Sequence, residues 1–212
     1  MSRRAIQHQD PTGDGLLARW PGQGTAAIRP GSELAVEEGQ QAFVVRDGRA
    51  LDSFGPGRHS LSTDSLPLLA ALDLPGETEG PLEAAVVFVS EKRVKDLKWG
   101  TPEPLVYHDP ERGAVRLCAF GTLAVRIDDV RGFVERAVGG TGIDSDDRLT
   151  AWCRDVVVGR LSDLLAETRG AFLDRPSPDA ELATVLEARV AIRFAAVALD
   201  LARLAVGEIN PL

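Results

Sequence analysis

The chain has 212 residues, 44% of them hydrophobic and 26% charged, with 32 acidic against 24 basic side chains and a formal net charge of -8. Such a composition belongs to a folded globular protein and excludes a disordered chain. The acidic balance excludes a protein built to neutralise nucleic-acid phosphates. The densest basic stretch, Lys92, Arg93, Lys95 and Lys98, is interrupted by Asp96 and reads as a solvated face.

Polar residues follow Arg3 and Arg4, so no signal peptide is expected. The longest apolar run, Phe194 to Leu199, falls far short of the roughly 20 residues of a membrane span. Cys118 and Cys153 stand in apolar surroundings, read as buried thiols, and suit a cytoplasmic protein.

Residues 1–24 are rich in glycine, glutamine and charge and are expected to form a loose tail, with Leu16–Trp20 pinned to a body that spans 25–212. Gln41–Arg46 and Arg49–Phe54 are β-branched or aromatic runs separated by Asp47-Gly48, which predicts a hairpin with a type I′ turn. Gly55–Leu61 is a tight turn and a short extended piece, and Asp73–Gly80 a polar loop. Leu82–Val89 reads as a buried strand, Arg93–Trp99 as a weaker one, and Leu105–His108 as a strand ending in a turn at Asp109–Gly113. Ala114–Ile127 is a long strand in which Gly121 marks a bulge or a close backbone approach.

Helices come later. Asp128-Asp129 caps a helix over Val130–Val138 that Gly139–Gly142 should end. Asp144 or Ser145 caps the next, whose apolar stripe is Leu149, Trp152, Val156, Leu161 and Leu164. Pro176 and Pro178 break the chain before a third helix, Ala180–Phe194. Periodicity leaves Leu199–Ile209 open between helix and strand. Strands first and helices after give the α+β class.

Catalytic and ligand motifs are missing. His8, His59 and His108 show no ligand spacing, and a zinc site from His59, His108 and Cys118 would need the fold to gather them. There is no Gly-x-Ser-x-Gly elbow. Gly139–Gly142 lacks the Gly-Lys-Ser/Thr ending of a phosphate loop, and acids follow it. No cofactor is called for.

Three stretches carry a resemblance: Gly39–Leu61, which contains Phe54-Gly55-Pro56-Gly57; Lys98-Trp99-Gly100-Thr101-Pro102; and Val115–Gly121. With the ending Gly207–Pro211, they resemble the SPFH (stomatin/prohibitin/flotillin, or band 7) superfamily, and within it the soluble bacterial YdjI-like branch, also labelled virion core protein-like. The resemblance spans roughly residues 31–211. It implies a twisted, mostly antiparallel sheet with packed helices, a final strand at the C-terminus, homo-oligomerisation, and no catalytic residues. It also implies a link to membrane stress through a phage-shock-type membrane coat protein, which would bring a cytoplasmic protein to the inner membrane.

The expectation is therefore a non-enzymatic scaffold or docking module that binds copies of itself and partner proteins. Two alternatives stay open. One is a hydrolase using cleft carboxylates such as Asp109, Glu111 or Asp128. The other is a carrier of a small ligand in the core.

Overall fold

Proline, glycine and charge interrupt the apolar runs often enough that, among the described residues, no strand but one exceeds a dozen residues. The computed structural model describes residues 5–10, 15–61, 81–91, 94–167 and 178–211. Arg3, Arg4, Lys92, Arg93, Pro176 and the loop expected at Asp73–Gly80 lie outside the described residues. The architecture is α+β with mostly antiparallel pairing, as the pattern predicted. The chain divides into two compact units, Met1–Arg93 with Ile127–Leu149, and Val94–Arg126 with Thr150–Leu212.

The first unit holds two sheets. One joins β1 (Ile6–Gln7), β4 (Ser32–Val36) and β7 (Gly57–Leu61), with β1 parallel to β4. The other is built on β8 (Leu82–Ser90), which pairs along one edge with β2 (Leu17–Trp20) and β3 (Ala26–Ile28), and along the other with β5 (Gln40–Arg46) and then β6 (Arg49–Phe54). Leu34, Val36 and Leu61 from the first sheet cluster with Ala42, Val44, Val86 and Phe88 from the second. The opposite face of β8 and β5 buries Phe43, Val45, Val87 and Val89 as well. Two buried faces explain why β8 reads as an apolar run over Ala84–Val89 rather than an alternation. The predicted hairpin turn is present, with φ of 50° at Asp47 and 74° at Gly48.

The N-terminal segment is held beyond the pinning expected at Leu16–Trp20. Over its described residues it is not a loose tail: Ile6, Leu16 and Leu17 are buried, and the Asp146 carboxylate accepts the main-chain N–H groups of Leu16 and Leu17. Sparse apolar residues in a polar stretch hid this, because two or three side chains suffice when each fills a slot in an existing core.

A helical segment completes this unit. α1 (Val130–Phe133) is capped by Asp129, whose carboxylate accepts the Gly132 N–H at 2.9 Å, as anticipated. It runs into a π-helical turn, Val134–Val138, and a last turn, Gly139–Thr141. The glycines at 139 and 140 therefore do not stop it. The stop is Gly142 in the left-handed region, with its N–H donating to the Val138 carbonyl. Gly139 serves a different need: a Cβ there would lie 2.1 Å from the Gly48 carbonyl oxygen of the hairpin tip.

The second unit contains β9 (Val94–Gly100), β10 (Leu105–Asp109), the fourteen-residue β11 (Gly113–Arg126) and β12 (Asp200–Pro211), with most of α2 (Asp146–Glu167) and all of α3 (Pro178–Ala195). β9 and β10 lie end to end along one edge of β11, and β12 along the other, all antiparallel. The ambiguous C-terminal segment is thus a strand, next to which α3 packs. In α2 the buried stripe is Leu149, Cys153, Val157, Leu161 and Leu165, while Trp152 and Val156 flank it. Trp152 stacks obliquely on Phe194 with ring centroids 5.2 Å apart, and Arg189 of α3 makes a two-point contact with Glu167 of α2. That guanidinium holds the Glu167 carboxyl below the usual range. Among the described residues no helix is long and apolar enough to cross a membrane.

Candidate assembly interface

Among the candidate catalytic carboxylates, Asp109 has a local structural task. Asp109 is buried, and its Oδ1 accepts the N–H groups of Glu111 and Arg112 at 2.9 Å each, which closes the turn between β10 and β11. It acts as a turn former. Glu111 lies exposed in the same turn, and Asp128 is an exposed residue just before α1 in the other unit. Among the described residues no three His, Cys, Asp or Glu side chains gather as for a metal ion. His59 instead contacts the Gly55 carbonyl at 2.8 Å and leans on the Phe54 ring.

The residues singled out from the sequence fall in two places, each with a structural task. Phe54 ends β6 in the core, Pro56 follows, and Gly57 opens β7 with φ of 128°, a conformation that favours glycine. Gly55 has no such need, since a Cβ there meets nothing within 4 Å. Lys98, Trp99 and Gly100 are in β9, paired with Thr122, Gly121 and Phe120 of β11.

Trp99 is buried over Gly121, where a Cβ would lie 2.9 Å from the indole and 2.0 Å from the Ala205 carbonyl of β12. Thr101 bridges the gap between β9 and β10. Its N–H donates to the Ala119 carbonyl at 2.9 Å, and its hydroxyl accepts the Ala119 N–H at 3.1 Å. Pro102 then interrupts the strand, because it has no N–H to continue the ladder.

An unpaired strand edge is the usual adhesive surface in a sheet protein. Here the edges are blunted. β12 carries two register shifts against β11, with Gly207 and Ala202 as the extra residues, and ends at Pro211. The β9–β10 edge is broken by Pro102 and Pro104. The β2–β3 edge uses six steps from Trp20 to Ala26 where β8 uses two, and β6 is shifted near Leu51. Bulges and prolines of this kind discourage strand addition.

The open surface is a sheet face. Alternation places Arg116, Cys118, Phe120, Thr122 and Ala124 of β11 on one side, with Val106 of β10, Lys98 and Asp96 of β9, and Arg203, Ala205 and Glu208 of β12 beside them. Val94, Val106 and Phe120, three of the five exposed large hydrophobic residues among those described, lie on this side. Phe120 is 50% exposed between Gly100 and Glu208, with its ring over the Gly207 bulge. Arg203 reaches across Ala124 to Asp96 at 2.9 Å and covers that alanine. Cys118, expected to be buried, is only partly so because it faces this side.

Sequence reasoning missed Phe120 and Val106 as surface residues. The period-2 pattern was present, but apolar residues on both faces of β11 masked it.

A family model described as the SPFH domain-Band 7 family matches residues 18–211. A comparison with curated proteins finds no match.

Proposed function

We propose that the chain, which belongs to the SPFH domain-Band 7 family, is a non-enzymatic scaffold module that associates with copies of itself and recruits partner proteins. The family is one of scaffolds associated with membrane microdomains, and that supports the reading. The observation that carries it is the sheet face around Phe120, which leaves apolar side chains in water while the edges beside it are blunted against pairing. An exposed apolar patch rimmed by charge is the usual mark of a protein interaction site.

The finer reading is the YdjI-like, virion core protein-like branch in a bacterial cytoplasm. There the module docks a phage-shock-type membrane coat protein and is carried by it to the inner membrane during membrane stress. Light scattering behind size-exclusion chromatography, over a hundredfold range of concentration, tests self-association: a discrete oligomer is expected, and a monomer throughout would overturn it. Binding to a purified coat protein of that type, measured by calorimetry, tests the partner.

A further inference from the structure

We infer that the Phe120 face is the contact between two copies of this chain, related by a two-fold axis that runs along β11. The inference rests on the scaffold reading and names its interface. A two-fold contact requires a self-complementary surface, in which each group finds its counterpart on the other copy. The charges around Phe120 meet that condition. On the β9 side stands Lys98, one row along, with no ion-pair partner among the described residues. On the β12 side stands Glu208, level with Phe120, bonded to Asn210 and to no cation. Turning a second copy over about β11 sets β9 of one above β12 of the other, so Lys98 faces Glu208 twice. The offset is one row of the pleat, about 7 Å, which the four-carbon lysine stem spans.

The apolar groups agree with this geometry. Phe120 lies on the axis and meets Phe120 of the second copy, with its own ring laid over Gly207 and the small residues Gly100 and Ala205 beside it. Facing sheets pack about 10 Å apart with strands splayed by about 30°. The splay separates the two Arg116 side chains, which stand four residues from the centre. The face is three strands wide and fourteen residues long, or about 650 Å² from standard spacings. That is less than the roughly 800 Å² per partner of a stable complex, so the dimer is weak and depends on concentration.

The test is charge exchange, read by sedimentation equilibrium on the full chain. Lys98→Glu and Glu208→Lys each place like charges across both symmetric pairs and should raise the dimer dissociation constant at least tenfold. The double variant restores both pairs in reverse and should return to within about threefold of the original. Phe120→Asp should abolish dimerisation. Cys118 stands one pleat row from Phe120, close to the axis, and a short bismaleimide should join it to Cys118 of the second copy in the unaltered protein but not in Phe120→Asp. All three altered side chains reach solvent, so circular dichroism should show each variant folded.

If the protein self-associates but the single reversals have no effect, or the double variant fails to recover, the Phe120 interface is wrong and the scaffold reading stands. If it is monomeric at every concentration, both fall.

Discussion

Gly121→Ala isolates one contact. The added methyl would sit 2.0 Å from the Ala205 carbonyl oxygen and 2.9 Å from the Trp99 ring, and neither can rotate away, one being main chain and the other a buried indole. A tolerable carbon–oxygen contact begins near 3.3 Å, so β12 must retreat by more than about 1 Å. That loosens roughly two ladder hydrogen bonds at about 1 kcal/mol each, and the crowding of Trp99 adds about 1–3 kcal/mol. The stiffer unfolded chain of alanine returns about 0.5–1 kcal/mol. The net loss is about 3 kcal/mol.

Gly100→Ala is the control. It lies one row away in the same sheet, and its nearest contact would be an ordinary 3.5 Å. Urea unfolding followed by tryptophan fluorescence should place the Gly121→Ala midpoint about 1.5 M lower, for a slope of about 2 kcal/mol per molar, with Gly100→Ala near the original. If the two variants unfold within about 0.5 kcal/mol of each other, the close approach does not explain the glycine.

Three further outcomes follow from the same geometry. Thr101→Val keeps the shape but leaves the Ala119 N–H without its acceptor; it should cost about 1–2 kcal/mol and speed hydrogen exchange at that amide. Asp146→Ala removes the acceptor of two main-chain N–H groups in the N-terminal segment and should cost about 2 kcal/mol, with proteolysis opening first before Trp20; cleavage elsewhere first would count against the clasp. Burial pushes the Cys153 thiol well above its ordinary range, so an aromatic disulfide reagent at pH 8 should modify one thiol, Cys118, in the folded protein and two in denaturant. The shift has a definite sign. A raised folded-state pKa gives stability that is whole below the unfolded value near 8.5 and falls as pH rises from there towards the folded value, so unfolding midpoints should decline above about pH 8.5.

Much of this protein was legible in its residues because the signals are local. Asp47-Gly48 fixes a turn by demanding positive φ twice, Asp129 caps the helix that follows it, and the apolar run Ala84–Val89 announces a strand buried on both sides. The stretch Lys98–Pro102 was visible as a string. Its reason was not, since it depends on Ala119 and Gly121, about twenty residues away in sequence and adjacent only once β9 pairs with β11.

Tertiary structure alone decided the rest. It made Ile6–Gln7 a strand where a tail was expected, and it gave the pinned Leu17–Trp20 its sheet edge and its clasp by Asp146. It fixed the helix stop at Gly142 within the expected Gly139–Gly142 stretch, and it gave Gly139 a separate task beside the hairpin tip. It also placed Phe120 in water although Leu117, Ala119 and Leu123 of the same strand are buried. Sequence determines what each residue prefers to do within a few neighbours. Which side of a strand is covered depends on what packs there, and that is settled by chain segments far away.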